Sequence, residues 1–142
     1  MGKPQITKSS TGDICHPCVG AIIIREGQLL MIDRKKGVLG WACISGHIDD
    51  DDDSPETALE REIKEESGLE LIDSKLLFQE EINNACSRGV EYHYWYVYKC
   101  EANGTIVKNE EETKDIRWVD LDKVRNLNLE PVWKYIFEKI GL

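Results

Sequence analysis

Two apolar runs separated by a short polar turn form the first clear pattern along the chain. The first run, CVGAIII, covers residues 18–24, and the second, LLMIDR, covers residues 29–34 after the turn sequence REGQ. Apolar runs rich in β-branched residues and joined by a glycine-containing turn are typical of a β-hairpin. A basic, glycine-rich loop follows at 35–40, and WACIS at 41–45 predicts a short strand.

A helix is predicted directly after an acidic loop, GHIDDDDDSPE. Ser54 suits the N-cap and Pro55 the first helical position. Gly68, which follows Ser67, suits the left-handed residue that ends many helices. The sequence therefore predicts a helix from Pro55 to about Ser67.

The rest of the chain contains further strand and helix patterns. Val132, Ile136 and Ile140 recur at four-residue spacing, which is typical of one buried helix face. We predict a single α/β domain over residues 1–142, with residues 1–13 as a flexible N-terminal segment. The further predicted elements are strands at about 70–82, 90–101 and 115–119, a short helix at LDKV and a terminal helix in EPVWKYIFEKI.

Composition and charge narrow the class of partner. The 142 residues are 41% hydrophobic and 32% charged, an ordinary composition for one globular domain. The net charge of −9 argues against a nucleic-acid polymer or an anionic membrane as the partner. A phosphorylated small molecule remains possible as a partner, because a bound divalent cation can reverse the sign of the local charge at a site. No apolar run approaches the roughly 20 residues of a membrane span and no secretory signal is visible, so a cytoplasmic protein is expected.

Five cysteines are an odd number, which fits reduced thiols better than a disulfide framework. The motif CHPC at 15–18 raises two possibilities, a metal site and a strand entry with buried thiols. A structural zinc site needs four ligands, and no second CxxC or paired histidine follows at a suitable spacing. The sequence therefore favours two buried thiols at the start of a strand. The cysteines are Cys15, Cys18, Cys43, Cys86 and Cys100.

The predicted helix carries three glutamates close together, in REIKEESGLE at 61–70. Glu62, Glu65 and Glu66 lie three and four positions apart, so their side chains are neighbours that repel one another. On a helical wheel they flank the apolar stripe of Leu59 and Ile63, where a low dielectric strengthens the repulsion. A divalent cation would remove that repulsion, and clustered carboxylates suit Mg²⁺ or Mn²⁺. The spacing alone leaves both a metal site and a solvated acidic face open.

Residues 46–69, GHIDDDDDSPETALEREIKEESGL, resemble the signature sequence of the Nudix hydrolases. That signature is a glycine, five residues, a glutamate, seven residues, and then Arg-Glu-aliphatic-any-Glu-Glu-any-Gly-aliphatic. Counting back from Arg61 places Asp53 where the family has glutamate, and six residues instead of five separate Asp53 from Gly46. A one-residue loop insertion is therefore expected. The second half is matched in full by Arg61, Glu62, Ile63, Glu65, Glu66, Gly68 and Leu69.

The resemblance implies a fold, an activity and a set of roles. The fold is an α/β/α sandwich with a mixed β-sheet, in which the signature forms a loop–helix–loop. The activity is metal-dependent hydrolysis of a nucleoside diphosphate linked to another group. Glu65 and Glu66 would bind Mg²⁺ or Mn²⁺, and Glu62 would be a further ligand or the general base. The carbonyl of Gly46 would complete the metal shell, and Arg61 would pair with Asp53 to hold the loop to the helix.

Relatives with this signature also imply candidates outside it. Glu111 and Glu112, in the acidic stretch KNEEETKD, are candidates for another metal ligand or base, with a solvated loop as the alternative. Arg34, Lys35 and Lys36 are candidates for phosphate contacts, although a basic hairpin end also improves solubility.

The aromatic strand pattern EYHYWYVYKC at 91–100 adds candidates for stacking on a base. Strand alternation places Tyr92 on one face and His93 and Trp95 on the other. All three are candidates for substrate binding, with core packing as the alternative.

The substrate class follows by subtraction from the resemblance. Family motifs that mark hydrolases of NADH, ADP-ribose and dinucleoside polyphosphates are missing after the signature. The remaining class is MutT-type, which hydrolyses nucleoside triphosphates to monophosphates and pyrophosphate. The alternatives are hydrolysis of ADP-ribose or another nucleotide diphosphate, and a catalytically silent nucleotide-binding module. A small-molecule nucleotide is the expected partner, and the protein is expected to be a monomer or a homodimer.

Overall fold

The computed structural model describes residues 2–84 and 90–142. In this part of the chain, no helix has the length and apolar composition that crossing a membrane requires. The elements in chain order are β1 (Thr7–Lys8), β2 (Ile14–Arg25), β3 (Gln28–Arg34), β4 (Trp41–Ala42), β5 (Ile44–His47), α1 (Pro55–Ser67), β6 (Glu70–Asn83), β7 (Tyr92–Asn103), β8 (Thr113–Asp120), a 3₁₀-helix (Leu121–Asn126) and α2 (Pro131–Ile140).

Strand β2 lies at the centre of a mixed sheet. It pairs antiparallel with β3, through the predicted hairpin, and with β5, and it pairs parallel with β7. Strand β6 extends the sheet beyond β7, and β8 pairs with β3, both antiparallel. The hairpin turn has positive φ angles at Glu26 (52°) and Gly27 (77°), as a two-residue turn of this kind requires. The mixed sheet implied by the resemblance is therefore confirmed.

The two α-helices lie on opposite faces of this sheet. Successive strand residues point to opposite faces. A side chain at Gly46 on β5 would meet Glu62 of α1, whereas one at Gly20 on β2 would meet Trp133 of α2. Because Gly46 pairs with Val19, the direct neighbour of Gly20, the two helices cover different sides. The architecture is the expected α/β/α sandwich.

The core lies between the sheet and the apolar faces of the helices. Residues 29–32 of β3 are all buried, because both faces of this strand are covered. Leu59 and Ile63 of α1 are at most 1% exposed, as the helical wheel predicts, and Trp133 and Phe137 of α2 are fully buried. This packing fixes the rotation of α1 and therefore the direction of its glutamates.

Part of the N-terminal segment, residues 1–13, is hydrogen-bonded to the rest of the fold. Thr7–Lys8 pair with β2 as a short strand, and the amide of Gln5 donates a 2.8 Å hydrogen bond to the carbonyl of Ile48. Backbone hydrogen bonds to the central strand and to the acidic loop therefore hold part of this segment. The predicted strand WACIS is also divided, into β4 and β5, at Cys43.

The two cysteines of CHPC point to opposite faces of β2, because Cys15 and Cys18 are an odd number of residues apart. Both side chains are buried. They cannot bind one metal ion together, in agreement with the buried-thiol interpretation. Cys86 lies outside the described residues.

Candidate active site

Helix α1 has well-defined ends that hold its glutamates in place. The hydroxyl of Ser54 accepts a 3.1 Å hydrogen bond from the amide of Thr57. Gly68 has a φ of 76°, and its amide donates to the carbonyl of Lys64 at 3.0 Å. Both caps match the sequence prediction and hold the helix in one register against the sheet.

The three glutamates of α1 differ in burial. Glu62 is buried, with 9% of its surface exposed, whereas Glu66 is half-buried and Glu65 is exposed. The hydroxyl of Thr113 donates to Glu66 at 3.4 Å, which connects β8 to the helix. The carboxylates therefore form a series that runs from the core to the solvent.

Gly46 is required by the position of Glu62. A Cβ atom at residue 46 would lie 2.2 Å from both Cδ and Oε1 of Glu62, a distance that no real contact reaches. The carboxylate thus rests directly against the backbone of β5. A glycine at this position, also part of the signature, provides the space.

Arg61 joins the acidic loop to the helix, but its partner is Asp52 and not Asp53. Its Nη2 and Nε atoms donate to the two oxygens of Asp52 at 2.9 and 3.3 Å, and Nη2 also donates to the carbonyl of His47 at 3.0 Å. Its Nη1 donates to Glu62 at 2.8 Å.

The predicted role of Asp53 is therefore wrong. Asp53 is exposed, and five residues separate Gly46 from Asp52, which is the spacing of the signature. The inserted residue lies after the loop acid, next to the N-cap, so counting back from Arg61 missed the partner by one. The amide of Asp49 also donates to Asp52, at 2.7 Å, and closes the loop around it.

The pKa values of the helix carboxylates and of Asp52 shift in opposite directions. Burial raises the pKa of Glu62 to about 8, although Arg61 partly opposes the shift. Burial also raises the pKa of Glu66, and the nearby carboxylate of Glu112 adds to the effect. Burial acts on Asp52 as well, but the hydrogen bonds from Arg61 and from the Asp49 amide outweigh it and lower the pKa of Asp52. In the loop, burial also raises the pKa of Asp49. Arg61 therefore offsets burial at Asp52 but not at Glu62.

A hard divalent cation fits this donor set. Glu62, Glu65, Glu66 and the carbonyl of Gly46 offer only oxygen atoms, which Mg²⁺ and Mn²⁺ prefer. Raised carboxylate pKa values at one place are also typical of a site that is completed by a bound cation.

A cleft of about 470 Å³ opens beside the carboxylates, and it contains several predicted residues. Arg34 and Lys36 line it, and Arg34 donates a 2.9 Å hydrogen bond to the hydroxyl of Ser45. Glu111 and Glu112 are both exposed, and the backbone amides of both donate to the side chain of Asn109. Glu112 lines the cleft, and Glu111 is not among the lining residues.

Strand β7 contributes His93 and Trp95 to the cleft but not Tyr92. Tyr92 shares its face with Tyr98, whose hydroxyl donates to Glu56 at the start of α1. Tyr92 therefore lies on the face of β7 opposite to His93 and Trp95, and its stacking role stays a prediction. Trp95 is held by a 3.1 Å hydrogen bond from Nε1 to the side chain of Asn84.

Two features of the cleft were missed in the sequence. Glu130 is 6% exposed and lines the cleft, and burial raises its pKa although Arg34 lies 3.7 Å away. Glu130 directly precedes Pro131 at the start of α2, and its side chain makes no capping hydrogen bond. An acidic residue before an otherwise apolar helix start was the signal available in the sequence. The other feature is His47, which lines the cleft together with His93. Strand pairing also brings His16 beside these two residues, and no local pattern in the sequence connects the three.

Comparisons with known proteins agree with this geometry. The family model of the NUDIX domain matches residues 15–139. A MutT-like protein from Streptomyces ambofaciens is 23% identical over 124 residues, covering 87% of this chain and 75% of the relative. A bis(5'-nucleosyl)-tetraphosphatase from Rattus norvegicus is 26% identical over 102 residues, covering 70% and 69%. The solved structure of a MutT NUDIX hydrolase from Burkholderia pseudomallei superimposes with a TM-score of 0.77 at 26% identity, covering 89% of this chain and 98% of that one.

Proposed function

The chain belongs to the Nudix family as a MutT-type pyrophosphohydrolase, and from that premise we propose that it hydrolyses a nucleoside triphosphate to the monophosphate and pyrophosphate. The observation that carries the proposal is the carboxylate cluster of α1, held against Gly46 at one end of a cleft that also contains Arg34 and Lys36. Carboxylates that bind a cation and basic groups that bind phosphate are the parts this reaction needs.

The proposed cofactor is Mg²⁺, with Mn²⁺ as a substitute. Glu65, Glu66 and the carbonyl of Gly46 would hold it, with Glu62 as a further ligand or as the base. When bound, the ion neutralises phosphate charge and acidifies an attacking water. Arg61 touches no substrate in this scheme, because its donors are used by Asp52, Glu62 and the His47 carbonyl. It is a positioning residue that keeps the loop and Glu62 in place.

Proton transfer is assigned to Glu62. Its pKa of about 8 lies close to neutral pH, where a general base is most effective. Glu112 lines the same cleft and is the second candidate for this role, ahead of Glu111, which is not among the lining residues.

The lining of the cleft suggests how the proposed substrate would bind. Phosphates would lie beside Arg34, Lys36 and the helix carboxylates. Val38, Asn84 and Glu130 line both this cleft and a neighbouring, mostly apolar cavity of about 500 Å³. A nucleoside would suit that cavity, because a base needs apolar contact area and a few polar groups for orientation.

A second substrate class is a dinucleoside polyphosphate, since one relative is named a tetraphosphatase. ADP-ribose is the third. A silent binding module is disfavoured, because Glu62, Glu65 and Glu66 are all present and clustered. All these substrates contain a phosphoric anhydride, so they share the proposed site and differ only in the group attached.

The test is product analysis with a panel of nucleotides in Mg²⁺. The panel contains canonical and 8-oxo nucleoside triphosphates, a dinucleoside tetraphosphate and ADP-ribose. We expect a triphosphate to yield the monophosphate and pyrophosphate, and we expect Glu66→Gln to lower kcat by about 100-fold or more. Glu60→Gln, an exposed position on the same helix, is the matched control and should keep full activity.

The remaining outcomes separate the alternatives. Turnover of ADP-ribose or the dinucleoside compound alone would keep the carboxylate mechanism and replace the substrate. Nucleotide binding without turnover of any compound would overturn the enzymatic proposal in favour of a binding module.

A further inference from the structure

The three histidines of the chain all meet at one place, on the opposite side of β5 from the carboxylate cluster. His16 on β2 pairs in register with His93 on β7, and His47 on β5 pairs with Cys18, two residues after His16. Side chains at these positions share one face of the sheet. The chain contains three histidines in total, so none lies elsewhere.

The rings are close enough to share one ion. One ligand nitrogen from each histidine lies within 4.8 Å of the others. The Nε2 atoms of His47 and His93 are 3.4 Å apart. Two nitrogens on a tetrahedral Zn²⁺ are also separated by about 3.4 Å, given Zn–N bonds of about 2.0–2.1 Å. A shift of His16 by about 1.4 Å would complete the set, within the range of a ring rotation.

The hydrogen bonding of His93 prepares its ring for a metal. Nδ1 lies 2.7 Å from the carbonyl oxygen of Asn84. A carbonyl can only accept, so Nδ1 carries the proton and Nε2 of the neutral ring presents a lone pair toward His47. A backbone carbonyl that fixes the tautomer in this way is the usual support of metal-binding histidines.

We infer that His16, His47 and His93 form a binding site for one Zn²⁺ ion, with a fourth coordination position open to the cleft. His47 and His93 both line the cleft, which gives the open position access to solvent. Three imidazole ligands and one exchangeable position is a common zinc geometry. The site is chemically distinct from the oxygen-rich cluster around Glu62, because imidazole favours zinc and related transition metals over Mg²⁺.

The arrangement gives the CHPC motif a role other than that of a CxxC zinc site. The two cysteines point to opposite faces of β2 and cannot share an ion. The residue of the motif that would bind zinc is His16, which lies beside the other two histidines. The competing explanation is an aromatic cluster: the His47 and His93 rings are stacked at 5.5 Å, and His16 meets His47 edge-on at 4.7 Å. Such a cluster needs no ion, and zinc binding distinguishes the two.

The experiment is zinc titration of the metal-free protein in excess Mg²⁺, followed by histidine side-chain ¹⁵N NMR. Since every histidine belongs to the cluster, the spectrum reports on this site without assignment. We expect one equivalent of Zn²⁺ to shift one nitrogen of each of the three rings. Substitution by Co²⁺ should give the intense visible absorption of a tetrahedral site.

Two sets of variants test the ligands. His47→Gln, at a half-buried position, should weaken zinc binding at least about tenfold, and His93→Gln should do the same. Glu65→Gln/Glu66→Gln, which removes two of the proposed oxygen ligands of the other site, should leave zinc affinity unchanged. Circular dichroism of the metal-free variants checks that they are folded.

Unshifted histidine signals at one equivalent of zinc would overturn the proposal. So would zinc affinity that falls only in the glutamate variant. Neither readout uses turnover, so the zinc site and the proposed hydrolysis stand or fall separately.

Discussion

The two acidic runs of this chain, the glutamates of α1 and the aspartates of the loop before it, are placed very differently by the fold. In the helix, Glu62 is buried and Glu66 half-buried. In the loop, Asp49 and Asp52 are half-buried and lie 3.4 and 2.9 Å from Arg61. The other aspartates of the run are exposed, namely Asp50, Asp51 and Asp53. Spacing causes the difference, because helical positions three and four apart next to an apolar stripe must turn toward the core, whereas loop residues can turn to water.

The same comparison shows that Arg61 compensates Asp52 more fully than Glu62. Asp52 has a guanidinium at 2.9 Å and a lowered pKa, while the pKa of Glu62 is raised to about 8 even though Arg61 also contacts it. Arg61 thus contacts both runs, and its hydrogen bonds lower the pKa of Asp52 but do not bring the pKa of Glu62 back to its ordinary value. The charge left on the helix is the physical reason to expect a metal there.

The largest effect is expected from a substitution of Gly46, which leaves room for the Glu62 carboxylate of the helix run. In Gly46→Ala, the new methyl group would overlap the Glu62 carboxylate, which must then leave β5. We expect kcat/KM to fall by about 100-fold or more, because positioning of the base and metal ligands is lost. Steady-state kinetics with the substrate found in the nucleotide panel measures this.

A double-mutant cycle with Glu62→Gln makes the Gly46 prediction specific. If Gly46 matters only through Glu62, the double variant should be no worse than the poorer single variant. Fully additive losses would show that the alanine acts by another route, such as distortion of β5.

In the loop run, Asp52 should respond much more strongly than its neighbour Asp53. Asp52→Asn removes the charged partner of Arg61, so the loop and Glu62 lose their anchor; we expect activity to fall about 10- to 100-fold and stability by about 1–3 kcal/mol. Asp53→Asn is the matched control, one residue away and exposed, with an expected change within about 0.5 kcal/mol. Kinetics and urea denaturation of both variants measure this, and equal effects would contradict the assignment of Arg61 to Asp52.

Much of this architecture is predictable because its signals are local. The β2–β3 hairpin follows from two apolar runs around Glu26 and Gly27, and the limits of α1 follow from Ser54 and Gly68 as caps. The clustering of the glutamates on α1 follows from their spacing next to an apolar stripe.

The errors and omissions arise where long-range contacts decide. From sequence, counting from Gly46 and counting from Arg61 select different loop acids, and only the reach of the Arg61 side chain chooses Asp52. His16, His47 and His93 are brought together by strand pairing, which no periodicity encodes. From sequence, Glu130 looks like an ordinary residue at a helix start. Its burial depends on how α2 packs against the cleft, which no local pattern shows.

The smallest expected effect is a change in the stability of the metal-free protein. It tests the difference in charge between the helix run and the loop run most directly. The pKa of Glu62 is about 4.5 in an ordinary environment and about 8 in the fold, so between these values the folded protein keeps a proton that the unfolded chain has lost. The stability contributed by this group is therefore fully present below pH 4.5 and is lost as the pH rises through 8.

Glu62→Gln abolishes this titration, and in chelator the variant should exceed the wild type by about 1–3 kcal/mol near pH 8.5, with little difference near pH 5. Urea denaturation at both pH values measures it, and Glu65→Gln, at the exposed position, should show no comparable change. A variant that is less stable by the same amount at both pH values would show that Glu62 is ionised throughout, paired with Arg61 as Asp52 is. The expected result, an inactive variant that is more stable than the enzyme, would mean that the buried charge is kept at a cost in stability because the cation site requires it.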